Sequence, residues 1–330
     1  MIISRTPFRI SFVGGGTDLR SFYAEEPGQV LSTSIDKYIY VVVKRQIGIV
    51  EYKYRVNWSQ VEICNEVEDI QHPIVREALR RMEIDFPVEI TTFADIPAQT
   101  GLGSSSAFAV GLIHALYALK GQMVTKGQLA REAAEIEVDC LGRTMGKQDH
   151  FASSYGNLNI FTFMPDETIN VDPVFYRPEV HKELESNLML FYTHLKRDAS
   201  EVLKSQNQAT PEKRNVLRQM RDLVPELRDI LASGVDMHRF GEILHQGWKL
   251  KRSITPQISN GEIDKYYQRA REAGASGGKL LGAGGGGFLM FYVEPQNQQR
   301  VIESLCDLYH LQIGLDTGGT RITYYDQTSV

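Results

Sequence analysis

Apolar and polar residues alternate over residues 8–13 (FRISFV), and β-branched or aromatic residues crowd residues 38–43, 50–56 and 88–93, so each segment is predicted to be a strand. A polar stretch at 66–71 leads to a short helix over 74–82. Beyond Gly103 the period changes: residues 107–120 are almost wholly apolar, as in a helix buried on most sides, and Gly121 is its expected stop. A second helix is predicted over 127–141, with Ala130, Ala133, Ala134 and Leu141 at helical spacing. Glu137 falls on the same inward face, and because an unpaired buried carboxylate is costly, it is a candidate site residue. After a polar, proline-containing stretch at 165–178, strands are predicted at 188–193, 288–293 and near 321–325. Helices are predicted at 213–232, 237–250, 262–273 and 299–309. This order reads as two α+β domains, 1–185 and 186–330, with no long linker, internal repeat or low-complexity segment.

Composition narrows the function classes. A chain of 330 residues with 23% charged and 42% apolar residues and a formal net charge of -5 is an ordinary globular protein. Its densest basic run, Lys249-Leu250-Lys251-Arg252, is too short to suggest a nucleic-acid surface. No stretch approaches the roughly 18 apolar residues of a membrane span. The start of the chain has no basic segment followed by a long apolar run. Cys64, Cys140 and Cys306 are scattered and lack C-x-x-C spacing, which argues against a disulfide framework and a cysteine metal site. The expectation is a cytoplasmic protein without nucleic-acid or membrane partners; a homodimer is compatible with it.

Four segments carry candidate chemistry. In Pro97-Ala98-Gln99-Thr100-Gly101-Leu102-Gly103-Ser104-Ser105-Ser106-Ala107, glycines let backbone amides approach an anion and serines can bind phosphate or Mg²⁺. The helix that follows points its positive end at the same place. The segment reads as a phosphate cradle or, more plainly, as a Gly/Ser turn ending in a serine N-cap. It lacks the lysine of a Walker A loop. Gly282-Ala283-Gly284-Gly285-Gly286-Gly287, just before an apolar strand, implies close backbone approach, either to a ligand or to another segment. Gly14-Gly15-Gly16-Thr17-Asp18 places an aspartate after an adaptable turn; G-x-G-x-x-G fails at Leu19, which weakens a dinucleotide reading. Asp149, beyond the Glu137 helix, is suited to orient or deprotonate a hydroxyl attacking a γ-phosphate, or it merely caps the next segment.

The order PFRISFVGGGTDL, PAQTGLGSSSA and KLLGAGGGGF, spread over nearly the whole chain, resembles the GHMP kinases, the superfamily of galactokinase, homoserine kinase, mevalonate kinase and phosphomevalonate kinase. The resemblance implies an N-terminal domain like ribosomal protein S5 domain 2, with a left-handed βαβ crossover, and a ferredoxin-like C-terminal domain. It implies ATP bound against Gly101, Leu102, Gly103, Ser104, Ser105 and Ser106, with Gly284, Gly285 and Gly286 shaping the crevice. Mg²⁺ would be held by Ser105 and Glu137. Asp149 matches the catalytic aspartate and Arg9 the arginine beside the reacting groups. Gly15, Gly16, Thr17 and Asp18 match the sugar-binding turn. Galactokinases carry Glu-His where this chain has Gly15-Gly16, a change expected to open space for a larger substrate. Within the superfamily, GGGTD, KLLGAGGGGFLMF and His245-x-x-Trp248-x-x-Lys251-Arg252 look most like the D-glycero-D-manno-heptose 7-phosphate kinase group. That similarity implies phosphorylation of an anomeric hydroxyl, with Arg20, Lys147, Lys251 and Arg252 as candidates for a phosphate already on the substrate. The alternatives are another sugar 1-kinase acting on fucose or galactose, and a non-catalytic nucleotide- or sugar-binding protein.

Overall fold

The computed structural model describes residues 1–47, 49–195 and 199–326. The chain opens with β1 (Ile2–Val13), a helical turn α1 (Arg20–Tyr23), β2 (Gly28–Arg45), β3 (Tyr54–Asn57) and β4 (Val61–Cys64). It continues through α2 (Pro73–Arg81), β5 (Val88–Ala94), α3 (Ser104–Leu119), α4 (Lys126–Ala134), α5 (Gln148–Tyr155), β6 (Leu158–Phe163) and β7 (Ile169–Pro173). Then come α6 (Pro178–Asn187), β8 (Leu188–Tyr192), α7 (Ala199–Ser233), α8 (His238–Arg252) and α9 (Gly261–Glu272). The chain ends with β9 (Gly277–Leu280), β10 (Phe288–Tyr292), α10 (Pro295–Ser304), β11 (Tyr309–Leu311), β12 (Leu315–Asp316) and β13 (Arg321–Tyr325).

The strands form two sheets. In the first, the order is β13-β1-β2-β5-β3-β4. The long β2 pairs along one edge with β1, and along the other with β5 through residues 39–45 and β6 through residues 28–33. β3 lies parallel to β5, while the last strand, β13, returns from the far end of the chain to pair with β1. The second sheet, β11-β8-β10-β9, is antiparallel, and with α7 to α10 it follows the β-α-β-β-α-β order of a ferredoxin-like layer. The architecture is a two-domain α+β fold, as the sequence predicts.

α3 is buried on nearly every side because it packs under β1 and β2 with almost no polar face. A single apolar cluster runs from Phe8, Ile10, Phe12 and Leu31 through Leu102 and Leu112 to Leu223, Leu227 and Phe240 on α7 and α8. Phe12 meets Phe240 edge-on at 5.1 Å. The two sheets therefore share a core, which fixes the cleft between them.

Several elements differ from the sequence pattern. The strand expected over 50–56 begins only at Tyr54, where pairing with Val88 of β5 starts. The polar stretch at 165–178 contains β7, whose partner is β6 rather than an apolar core. α10 runs from Pro295, which suits the first helical position, to Ser304; residues 309–311 leave it to pair with β8. α7 begins at Ala199, well before the predicted start, and carries Pro211 and Pro225 within it. The helix expected over 127–141 ends as α-helix at Ala134 and continues as a π-helix, Glu135–Cys140, with Leu141 N–H donating to Ile136 O at 3.0 Å. Such wide turns re-aim side chains and often mark functional sites.

Candidate active site

The first site feature is the start of α3. Gly103 is its N-cap, in a left-handed conformation (φ 78°) that a side chain would disfavour, and it offers no side-chain acceptor to the first-turn amides. Those amides and the helix dipole stay open to an anion. The hydroxyl of Ser106 is buried there without a hydrogen-bond partner, while Ser104 and Ser105 are partly exposed. Leu102 turns its side chain into the core and accepts Arg9 N–H on its carbonyl at 3.1 Å. This donor set fits the phosphates of a nucleotide.

The second glycine cluster packs against the first. A Cβ on Gly101 would lie 2.6 Å from Leu281 O, and one on Gly282 would lie 2.6 Å from Gly101 Cα, so the two loops touch backbone to backbone. Gly284 is packed on Ile258 and Gly286 on Leu195, with Gly285 N–H donating to Ile258 O at 2.9 Å. The approach that requires these glycines is therefore to other backbone segments.

Beside this junction, Arg9 clamps Asp149. Arg9 Nε donates to Asp149 Oδ1 at 2.7 Å and Nη2 to Oδ2 at 2.5 Å, while Nη1 donates to Gly101 O at 2.7 Å. The bidentate pair is largely buried and fixes the carboxylate's orientation. Arg9, Asp149, Gly15, Gly16, Asp18, Gly146, Gln148, Gln206 and Lys251 line one cavity between the two domains. Asp18 accepts Gly16 N–H at 2.9 Å; burial, with the nearby Asp149 charge, pushes its carboxyl above the ordinary value despite that bond. Lys251 is buried, and burial together with the Arg9 charge brings its ammonium down to about 8, although Asp18 and Asp149 act the other way.

Glu137, on the π-turn, is fully buried. Arg143 Nη1 pairs with Oε1, and His150 Nε2 lies 2.8 Å from Oε2. Burial alone would raise its carboxyl, yet the His150 hydrogen bond and charge, Arg143 and the Ser105 hydroxyl together hold it below the ordinary range. An ionised carboxylate beside a serine hydroxyl at an anion-binding helix start fits a hard divalent cation, since two carboxylate oxygens offer about four acceptor positions and these partners leave some unused.

The structure thus brings Arg9, Gly15, Gly16, Asp18 and Asp149 to one cavity, with Gly103 against Arg9 and Asp149 and with Glu137 held by His150 of α5. Thr17 does not reach the cavity; its hydroxyl lies 2.8 Å from Gly14 O and 2.9 Å from Gln29 O, inside the turn. Gly16 lines the cavity, and a Cβ there would lie 2.3 Å from Nε2 at the end of the Gln206 side chain of α7, so the space at this glycine is shared with Gln206. Of the four candidate cations, only Lys251 lines the cavity. Arg252 pairs with Asp264, whereas Arg20 and Lys147 both pair with Glu167 next to the cavity-lining Leu19, Gly146 and Gln148. Sequence reasoning missed Arg143 and His150, although His150 directly follows Asp149 on α5 and so must face another side of that helix. It also missed Gln206, for which a long amphipathic helix offers no signal.

Family models for the GHMP kinases N terminal domain and the GHMP kinases C terminal region match residues 72–157 and 227–311. The D-glycero-alpha-D-manno-heptose 7-phosphate kinase of Campylobacter jejuni is 28% identical over 92% of this chain and 93% of its own length. A bifunctional fucokinase/GDP-fucose pyrophosphorylase of Arabidopsis thaliana is 26% identical over 86% of this chain and 29% of its own length. The crystal structure of a D-glycero-D-manno-heptose 1-phosphate kinase from Bacteriodes thetaiotaomicron matches the fold with a TM-score of 0.81 at 22% identity, over 99% of this chain and 100% of that one.

Proposed function

This chain belongs to the GHMP kinase superfamily, ATP-dependent kinases of small-molecule acceptors, and from that we propose that it phosphorylates the anomeric hydroxyl of D-glycero-D-manno-heptose 7-phosphate. The observation that carries the reading is the Arg9–Asp149 clamp, set in a cavity beside an uncapped helix start. A relative named as a heptose 7-phosphate kinase supports the choice of acceptor. Arg20 and Lys147, which share the carboxylate of Glu167 and adjoin the cavity-lining Leu19, Gly146 and Gln148 in sequence, are the cations assigned to an acceptor's own phosphate.

Mg·ATP, when bound, supplies the phosphoryl group: a bond from acceptor oxygen to phosphorus forms as the bond to ADP breaks. Asp149 accepts the proton of the acceptor hydroxyl, with lone pairs left over from the two that Arg9 engages. Arg9 holds Asp149 in one orientation and, through Gly101 O, ties it to the phosphate-binding loop. The first-turn amides of α3 and the hydroxyls of Ser104 to Ser106 bind phosphate oxygens, and Ser105 with Glu137 would hold the metal. Asp18 accepts hydrogen bonds from hydroxyls of the sugar. α7 covers the cavity through Leu203 and Gln206 and limits access of water, which would otherwise compete as acceptor.

The test is sugar-dependent ADP formation with Mg·ATP, comparing the heptose 7-phosphate with unphosphorylated heptose, fucose and galactose, with the product identified by NMR. A strong preference for the heptose phosphate, giving a new anomeric phosphate, is expected. A preference for a neutral sugar would replace this substrate with that of a salvage-type sugar 1-kinase.

A further inference from the structure

Lys251 stands apart from every other buried cation in the molecule's centre. Its side chain lies on the last turn of α8 with only 6% of the residue exposed, and its one hydrogen bond runs from Nζ to Gly282 O at 2.5 Å. An ammonium carries three donors, so two remain, and among the described residues no carboxylate pairs with it. Burial of an unpaired charge is unfavourable, and a protein keeps such a group where an anion arrives to meet it. Lys279 makes the contrast: equally buried, it donates to Ser11 O and Phe12 O and so joins β9 to β1. Arg252, the next residue, is engaged outside the cavity by Asp264 and the face of Trp248.

The position of Lys251 limits which anion it meets. Gly282, which accepts its bond, is packed on Gly101, whose carbonyl accepts from Arg9. Two cations therefore donate to the two touching glycine loops, one to each, and both line the cavity that holds Asp149. We propose that Lys251 is a catalytic residue whose ammonium binds the terminal phosphoryl group of the nucleotide at this junction. The inference rests on the kinase reading above. It assigns to Lys251 the neutralisation of negative charge on the phosphoryl oxygens during transfer, and it leaves the acceptor's own phosphate to Arg20 and Lys147.

Calorimetry with Mg²⁺ tests it without turnover, using ADP and adenylyl imidodiphosphate on wild type and Lys251→Met, with Lys251→Gln as a second neutral variant should the first not fold. The expected result is a loss of about tenfold or more in affinity for the triphosphate analogue, with ADP affinity held within about twofold. Unchanged affinity for the analogue overturns the assignment. So does a loss confined to heptose 7-phosphate, measured against unphosphorylated heptose, which would give Lys251 to the acceptor. Failure of the wild type to bind either nucleotide would instead overturn the kinase reading itself.

Discussion

Replacing Lys251 by methionine should stabilise the ligand-free protein. The two side chains are similar in length, so the cavity wall keeps its shape while a buried charge is removed. Burial lowers the Lys251 ammonium from 10.5 to about 8, which corresponds to a cost of about 3 kcal/mol for holding it charged at pH 7. Loss of the bond to Gly282 O returns about 1 kcal/mol, leaving a net gain of about 2 kcal/mol. The pH dependence follows from proton counts. The unfolded lysine stays protonated up to 10.5 and the folded one only to about 8, so between those values the unfolded state binds more protons and wild-type stability rises with pH. The advantage of the methionine variant should therefore shrink across that window, to about half a kcal/mol at pH 9.5. Urea unfolding of both proteins at pH 7 and 9.5, without nucleotide, measures this directly. A variant less stable than wild type at pH 7, or a difference that does not change with pH, would refute the reasoning.

Asp149→Asn should keep nucleotide affinity but lower transfer by about 10²- to 10⁴-fold in a coupled ADP assay; near-normal turnover would remove Asp149 from its role. Gly146→Ala places a Cβ 1.7 Å from Asp18 Oδ2, so Asp18 must move; a stability loss of about 1–3 kcal/mol and a raised acceptor KM are expected, and a wild-type KM would count against Asp18 as a sugar ligand. Glu137→Gln should cost about 1–3 kcal/mol at neutral pH by unfolding and weaken the Mg²⁺ dependence of activity. Because the Glu137 carboxyl is held below 4.5, its contribution is present above that pH and lost as pH falls through the lower folded value, so the penalty measured by unfolding should fade in acid.

Local chemistry made the elements and the loops legible from the sequence. Alternation in β1, the apolar run of α3 and the glycines around Gly101 and Gly282 act over a few residues, and the periods and φ angles they impose can be read along the chain. Glu137 was legible as an inward carboxylate from helical spacing, although the segment that carries it is a π-helix. The tertiary structure decided everything that depends on which segments meet. That β13 pairs with β1, more than 300 residues away in sequence, depends on which sheet edge is left open. Gln206 fills the space at Gly16 because α7 crosses the turn there. The second glycine cluster packs against the backbone of Gly101, Ile258 and Leu195 while its Gly282 and Ala283 line the cavity, and of four similar basic residues only Lys251 is turned into that cavity. A lysine's charge is the same at every position in a sequence; its solvation and its partners are set by the packing around it, and in this protein those distinguish an ordinary surface cation from one held in the cleft with no carboxylate bonded to it among the described residues.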